Sequence, residues 1–319
     1  MSTTIKQVLA IPAALMATLL LFSACASKAD TCQIPEGLTL QILGSGGPVA
    51  DDARSSTSYI IWTNGQSRIL VDFGSGAFLR FGEAGASFED LDHIAISHFH
   101  TDHSADLVAL LKTGYFSDRE RDLSISGPSG SGPFPGLDRF LDKLVGKDGA
   151  YAYLSGYMDG TGGLPLLQPI TLDAAARESM PVFGDDESTL QIEAIGVPHG
   201  IVPALAYRVR IGDKIIVFSG DQNGNDDAFT RFAGNADVLV MHMPVPEGVR
   251  GGGRQLHAPP SRIGQIAGQT TAQTLVVSHF MARSLWEIDA NIDIIRDHFD
   301  GEIIRASDLQ CVSIGANGK

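Results

Sequence analysis

Basic residues are scarce in this sequence. The 319 residues include 23 Lys and Arg against 37 Asp and Glu, which gives a formal net charge of −14 and a pI near 4.9. A surface of this charge repels nucleic acid phosphates, and the chain has no basic stripe that would bind them. The composition therefore predicts a small-molecule substrate and no nucleic acid partner.

Motifs for a protein nucleophile or a nucleotide cradle are also missing. The sequence has no Gly-x-Ser-x-Gly elbow and no P-loop, and Gly44 and Gly46 lack the third glycine and the βαβ context of a dinucleotide site. Catalysis by serine or cysteine is therefore disfavoured. With 44% hydrophobic residues and no internal repeat, we expect residues 30–319 to form a single domain around one large core.

Cysteine is rare, with three in the chain. If Cys25 is removed or acylated, the remaining pair is Cys32, just before the first predicted strand, and Cys311, inside the last one. An oxidising compartment would let these two form a disulfide that ties the termini together, and two free buried thiols are the alternative.

The apolar run near the start of the chain is short for a membrane span, which needs about 20 apolar residues. Lys6 precedes an apolar segment at 8–22, and small residues follow it. This pattern predicts a secretory signal peptide over 1–29. The end of the segment also resembles a lipoprotein signal, so the exported protein is either soluble in the periplasm or held at the membrane by a lipid anchor on Cys25.

One dense polar run stands out, at His98-Phe99-His100-Thr101-Asp102-His103. An apolar strand end precedes it and helical spacing follows it, so the run lies on a strand-to-helix turn. Alternate residues of a strand end face one side, so His98 and His100 can point at one ion while Asp102 and His103 face a second. Imidazole nitrogen and carboxylate oxygen suit zinc, although manganese and iron use the same ligand types.

Four ligands cannot saturate two ions, so remote partners are needed at the ends of other strands. Three candidates, His199, Asp221 and His279, each follow a short β-branched run and precede a turn. A single histidine in such a place is more often structural. Three residues with the same placement predict a metal site.

These motifs resemble the metallo-β-lactamase superfamily, and in particular its ribonuclease Z and arylsulfatase-like branch. The similarity extends from about Leu38 to Ile314. It is carried by the histidine run with its distant partners, and by the segments Leu43-Gly44-Ser45-Gly46-Gly47-Pro48, Leu70-Val71-Asp72-Phe73-Gly74, Ile125-Ser126-Gly127-Pro128, Pro198-His199-Gly200, Ser219-Gly220-Asp221 and Ser278-His279-Phe280.

The resemblance implies an αββα sandwich, in which two mixed sheets carry helices on their outer faces. It also implies two Zn²⁺ ions, the first bound by His98, His100 and His199, the second by Asp102, His103 and His279, with Asp221 bridging them. Two such ions about 3.5–4 Å apart lower the pKa of a shared water to about 7 and polarise the scissile group. Hydrolysis by metal-bound hydroxide follows without a protein nucleophile.

The resemblance further places candidate proton donors at His242 and His257, which together with Asp102 are the candidate catalytic residues. Met243 stands where the family has a glutamate after the first of these histidines, which puts a His-Glu proton relay in doubt. A glycine-rich loop at 251–253 would let His257 move over the site. Asp72 is expected to orient a ligand histidine rather than to bind metal.

The projecting arm with which ribonuclease Z grips transfer RNA is missing, because a tight Gly212-Asp213 turn joins two strands at its position. Together these features predict an exported dinuclear zinc hydrolase of small phosphodiesters or aryl sulfate esters. Cleavage of a cyclic amide or ester, as by β-lactamases or lactonases, is the first alternative. A non-catalytic metal-binding protein is the second.

Overall fold

The computed structural model describes Cys32 and residues 37–315. The predicted signal peptide and the candidate anchor Cys25 lie outside the described residues. In the part of the chain that the structure describes, no helix has both the length and the apolar character needed to cross a membrane.

Two mixed seven-stranded sheets form the centre of the fold. The first has the order β14-β1-β2-β3-β4-β5-β6. Its strands are β1 (Leu38–Gly44), β2 (Ser58–Thr63), β3 (Gln66–Phe73), β4 (His93–Ala95), β5 (Leu123–Pro128), β6 (Leu167–Leu172) and β14 (Cys311–Ile314). The second has the order β13-β12-β11-β10-β9-β8-β7. Its strands are β7 (Met180–Phe183), β8 (Leu190–His199), β9 (Val202–Ile211), β10 (Lys214–Phe218), β11 (Val238–His242), β12 (Thr274–Ser278) and β13 (Glu302–Arg305).

Ten α-helices occur within the described residues. They are α1 (Ala77–Glu83), α2 (Thr101–Ser104), α3 (Leu107–Gly114), α4 (Leu137–Val145), α5 (Gly156–Asp159), α6 (Asp227–Phe232), α7 (Gly252–Leu256), α8 (Pro260–Ala267), α9 (Ala282–Leu285) and α10 (Ile288–Arg296). Short 3₁₀ turns lie at Ala50–Asp52, Ala152–Leu154 and Thr161–Gly163.

Side-chain alternation explains how the layers hold together. In β2, Tyr59 and Ile61 join a core shared by both sheets, whereas Ile60 and Trp62 join a second core beneath α1, α3 and α4. Successive residues of a strand point to opposite faces, so a strand that is apolar on both faces must be covered on both. The predicted sandwich with outer helices is confirmed.

Tight turns set the register of the antiparallel strands. Asn64 and Gly65 join β2 to β3 with positive φ angles of 50° and 81°, as a two-residue hairpin loop requires. The predicted Gly212-Asp213 turn is also a two-residue loop, between β9 and β10, with Ile211 paired to Lys214 and a positive φ of 60° at Gly212.

Parallel strands direct the functional residues to one edge of each sheet. In the first sheet β3, β4 and β5 run parallel, and in the second β10, β11 and β12 do so. The carboxyl ends of parallel strands meet at one edge, where α/β proteins place their ligands. The histidine run follows β4, while Asp221 follows β10 and His279 follows β12.

A disulfide joins Cys32 to Cys311, with their Cα atoms 5.8 Å apart. It fastens the chain just before β1 to β14, which pairs with β1 at the edge of the first sheet. The predicted pairing is confirmed, and the alternative of two free thiols is wrong.

Candidate metal centre

The histidine run lies in the turn between β4 and α2. His98 is buried, and half-buried His100 is the residue just before α2, with an extended backbone at φ −66° and ψ 150°. Asp102 and His103 lie within α2, and both are buried. The change from extended to helical backbone sends the first two side chains and the last two towards different neighbours.

Three histidines come together on one side of the site. Nε2 of His98 lies 3.0 Å from Nδ1 of His100. The ring centre of His199, at the end of β8, is 5.0 Å from that of His98 and 5.3 Å from that of His100. One nitrogen from each ring lies within 4.8 Å of the other two. We refer to these residues as the histidine-only cluster.

A second group contains carboxylate and imidazole together. Nε2 of His279 lies 3.1 Å from Nε2 of His103 and 3.2 Å from Oδ2 of Asp102. Nε2 of His103 is 3.6 Å from the same carboxylate oxygen. We refer to Asp102, His103 and His279 as the carboxylate-rich cluster.

Asp221 lies between the two clusters. Its Oδ2 atom is 3.9 Å from Nε2 of His98 and 3.7 Å from Nε2 of His199. The same atom is 3.6 Å from Nε2 of His103, and Oδ1 is 3.3 Å from Nε2 of His279. The structure thus brings all seven residues named from the sequence into one site.

The donor atoms of this site suit divalent cations. Nδ1 of His199 lies 3.0 Å from the carbonyl oxygen of Leu256. Because a carbonyl only accepts, Nδ1 carries the proton and Nε2 keeps its lone pair. That Nε2 atom is buried without a hydrogen-bond partner among the described residues. Nε2 atoms of His103 and His279 at 3.1 Å also need a proton or a cation between them.

Asp72 supports His103 from behind, as predicted. Its carboxylate accepts hydrogen bonds from the Ser97 backbone N–H at 2.7 Å and the Ser97 hydroxyl at 2.8 Å. Oδ2 also lies 2.8 Å from Nδ1 of His103. A carboxylate on Nδ1 fixes the orientation of the ring and leaves Nε2 facing the site. Asp72 has a positive φ of 56°, a backbone conformation that non-glycine residues rarely adopt.

The two clusters differ in charge. Burial, reinforced by the neighbouring His103, lowers the pKa of His98 well below its usual value, and burial also lowers the pKa of His100. Burial would lower the pKa of His103 too, but the carboxylates of Asp221 and Asp72 outweigh it and raise that pKa well above its usual value. The carboxylate-rich cluster therefore holds protonated histidine until a cation replaces the proton.

His242 lies behind Asp221 rather than in the open part of the site. Its Nδ1 is 2.8 Å from Oδ1 of Asp221, and its Nε2 is 3.1 Å from the hydroxyl of Tyr59. His242 is buried and does not line the cleft described below. This position suits a residue that holds the Asp221 carboxylate better than one that transfers a proton to substrate.

His257 does line the cleft. It follows α7, and its Nδ1 is 3.9 Å from Oδ2 of Asp221, buried and without a hydrogen-bond partner among the described residues. Burial lowers its pKa to about 3. The predicted mobile glycine loop is wrong in part, because Gly252 and Gly253 form the first turn of α7. Local hydrogen bonding of the helix outweighed the weak helix propensity of glycine.

A cleft of about 490 Å³ opens over both clusters. Sequence reasoning gave no role to six residues of its wall: Pro48, Phe99, Thr101, Leu256, Met281 and Arg283. The guanidinium of Arg283 donates through Nε to the carbonyl oxygen of Pro244 at 2.8 Å. Its other N–H groups have no hydrogen-bond partner among the residues that the structure describes. A cation four positions after the candidate ligand His279 was the signal that could have indicated it.

Comparison with known proteins places this architecture. Residues 38–128 match the model of a family described as "Anti-Pycsar protein Apyc1". Ribonuclease Z of Pseudomonas putida (strain GB-1) is 27% identical over 325 residues, which cover 88% of this chain and 98% of that protein. The solved structure of the metallo-β-lactamase fold protein YhfI from Bacillus subtilis superposes with a TM-score of 0.67 at 19% identity, over 86% of this chain and 98% of YhfI. The solved structure of human tRNase Z, short form, superposes with a TM-score of 0.66 at 20% identity, over 86% of this chain and 99% of the human chain.

The fold is that of metallo-β-lactamase proteins, and the site groups histidine and aspartate side chains that can hold metal ions. In sequence, the chain is similar to proteins of the ribonuclease Z branch of the metallo-β-lactamase superfamily, and it shares their fold.

The prediction that excluded nucleic acid is wrong. A ribonuclease Z matches 88% of the chain, and a tRNase Z shares its fold. The prediction relied on the net charge of −14, which averages over the whole surface. Local charge at the cleft decides which substrates approach, and the cleft wall carries Arg283.

Proposed function

We propose that this chain is an exported dinuclear metal hydrolase that cleaves phosphodiesters. The observation that carries the proposal is the position of Asp221, whose Oδ2 atom lies within 3.6–3.9 Å of imidazole nitrogens from both clusters. A carboxylate between two sets of ligands is the arrangement that a pair of cations requires. The same cations would serve an aryl sulfate ester, which is therefore tested beside the phosphodiester.

The histidine-only cluster would hold one ion, the carboxylate-rich cluster the other, and Asp221 would contact both. Zinc is the proposed metal, and the ligand types also suit manganese and iron. Two bound ions supply Lewis acidity and a water of lowered pKa. The protein's own part is to fix the ligands, and Asp72 and Leu256 do so by holding the outer nitrogens of His103 and His199.

Arg283 favours an anionic substrate. Its guanidinium lines the cleft, and its free N–H groups can bind a phosphate or sulfate oxygen. The carbonyl of a lactam or lactone carries no net charge and gains less from this contact. Relatives that are named ribonuclease Z and tRNase Z also support a phosphodiester.

His257 is the proposed proton-transfer residue for the leaving group, because it lines the cleft beside Asp221. Since burial lowers its pKa to about 3, the ring is neutral at neutral pH and must take up a proton when an anionic substrate binds before it can donate one. His242 is proposed to position Asp221. Since the Asp221 carboxylate only accepts, Nδ1 of His242 carries the proton, and Nε2 accepts from the hydroxyl of Tyr59.

Export is proposed from the two ends of the chain. The Cys32–Cys311 disulfide suits an oxidising compartment. We infer that residues 1–29 are a signal peptide, with Cys25 as a candidate lipidation site, and that residues 30–319 form one domain.

A metal analysis followed by a substrate panel tests the proposal. The mature protein should contain about two metal ions per chain and hydrolyse bis(p-nitrophenyl) phosphate or a short RNA faster than p-nitrophenyl sulfate, a chromogenic cephalosporin or a homoserine lactone. The Asp102→Ala variant is the control that should lose every activity. Metal-loaded protein that is inactive on the whole panel would instead favour a non-catalytic metal-binding role.

A further inference from the structure

His279 has a backbone conformation that needs outside support. Its φ is +57°, in the left-handed region that side chains with a Cβ disfavour. The residue is buried, at 1% exposure, and its Nε2 faces Asp102 and Asp221. Strained conformations persist where the surrounding structure fixes them, and they concentrate at functional sites.

The support comes from the glycine loop Gly44–Gly47, which follows the end of β1. The backbone N–H of Phe280, next to His279, donates to the carbonyl oxygen of Ser45 at 2.9 Å, and the N–H of Gly47 donates to the carbonyl oxygen of Phe280 at 2.8 Å. Gly47 also lies against the His279 ring, since a Cβ at Gly47 would come within 3.0 Å of its Cε1 atom. The loop thus fixes both the backbone and the ring of His279.

Asp308, which lies between β13 and β14, holds the glycine loop in place. Oδ1 of Asp308 accepts hydrogen bonds from the backbone N–H of Ser45 at 3.0 Å and from its hydroxyl at 2.8 Å. Oδ2 accepts from the backbone N–H of Ser55 at 2.8 Å and from Nε of Arg80 at 3.2 Å. Four donors on one carboxylate leave the Ser45 backbone little freedom. A charged acceptor makes each of these bonds stronger than a neutral one would be.

We propose that Asp308 is a positioning residue of the metal centre, which acts through Ser45 and Phe280 to hold His279 in its left-handed conformation. This inference rests on the metal ligands assigned under the proposed function. No hydrogen bond in the described part of the chain joins the glycine loop to a residue of the histidine-only cluster. Asp308 therefore supports the carboxylate-rich cluster selectively.

Zinc titration of the full mature chain tests this selectivity. The probe is Zn²⁺ alone, and competition with a chromophoric chelator resolves the two binding steps. The His279→Ala variant identifies which step belongs to the carboxylate-rich cluster. Asp308→Asn should weaken that step about 10-fold, the lower end of the usual effect of outer ligand partners, and leave the other step unchanged. Asp289→Asn is the matched control, because it removes the same charge from an exposed carboxylate that pairs with Arg305. It should change neither step.

The melting temperature of the metal-free variants separates positioning from general stability. If Asp308→Asn lowers the melting temperature while both zinc affinities stay at wild-type values, or fall by the same factor, the positioning role is refuted. Should that variant fail to fold, Ser45→Ala removes the hydroxyl contacts with Asp308 and Arg54, keeps the backbone contact with Asp308, and should weaken the same step by a smaller factor. Equal affinities in wild type and Ser45→Ala would also overturn the inference. A wild-type chain that does not bind two zinc ions would refute the proposed function instead.

Discussion

The two halves of the metal centre are built from different chemistry. The histidine-only cluster contains no carboxylate, and burial lowers the pKa of His98 and of His100. In the carboxylate-rich cluster, burial acts in the same direction, but the surrounding carboxylates raise the pKa of His103 and of His279. Neutral imidazole is thus ready to bind a cation in one half, whereas the other half must first release protons.

The two clusters also differ in how many contacts from surrounding residues hold their histidines. In the histidine-only cluster, Nδ1 of His98 lies 3.1 Å from the Ser97 hydroxyl, His199 is held by the backbone carbonyl of Leu256, and His100 is half-buried. His103 is held by Asp72, and His279 by the glycine loop that Asp308 fixes. The half that carries charge is the half with the more extensive support, because an unpaired buried charge costs far more than an unpaired neutral ring.

Removing Asp221 should have the largest effect, because it belongs to both halves. Asp221→Ala takes away the carboxylate that lies within 3.6–3.9 Å of nitrogens from each cluster. We expect at least one metal ion to be lost and kcat to fall by about a thousandfold, which corresponds to the several kcal/mol that metal ions contribute. Metal content and steady-state kinetics measure both effects. Full activity in Asp221→Ala would mean that the two halves work independently.

Replacing a histidine in each cluster by alanine should lower the free energy of unfolding by different amounts. His103→Ala leaves Asp72 and Asp221 buried without their shared partner, and breaking a buried ion pair costs about 3–5 kcal/mol. His98→Ala removes a neutral ring that has no ion pair to break. The free energy of unfolding of the metal-free protein should therefore fall much less than in His103→Ala. Urea unfolding of both variants without metal makes the comparison. Equal losses would contradict the difference in charge between the clusters.

Arg283 extends the comparison to the substrate. It lies in α9, four positions after His279 of the carboxylate-rich cluster, and lines the cleft. Arg283→Gln should lower kcat/KM for bis(p-nitrophenyl) phosphate by about 10- to 100-fold, since hydrogen bonds to charged groups contribute about 1.5–3 kcal/mol. The kcat/KM for a neutral ester should fall much less. Arg262→Gln, away from the cleft, is the control, and an equal loss on both substrates would argue against a contact with the phosphate.

The sequence predicted the ligand types better than their surroundings. Strand ends and turns are recognisable from β-branched runs, so the convergence of His199, Asp221 and His279 could be expected from the amino-acid pattern alone. The disulfide could be expected from the positions of Cys32 and Cys311. The roles of Ser45 and Asp308 could not, because they depend on contacts across more than 250 positions that no local pattern encodes. The contacts of His242 could not be predicted for a related reason. Its strand position is clear in the sequence, but its contact with Tyr59 forms only when the sheets pack.

The smallest predicted effect concerns His93, which lies away from both clusters and tests whether burial alone keeps a histidine neutral. Its ring is fully buried, its partners are the hydroxyls of Ser124 and Ser126, and burial lowers its pKa to about 3. Above pH 6.5 the ring is neutral in both the folded and the unfolded chain, so His93 does not lower the stability of the fold. As the pH falls from 6.5 towards 3, the unfolded chain binds a proton that the folded chain excludes, so this residue costs up to about 1.4 kcal/mol of stability per pH unit. In His93→Gln the slope of the unfolding free energy with pH should be smaller than in the wild type by this amount, because other buried histidines still contribute to it, whereas His298→Gln, an exposed control, should keep the wild-type slope. A slope in His93→Gln equal to that of the wild type would mean that burial does not exclude the proton here, and the same explanation for the lowered pKa values of His98 and His100 would lose its support.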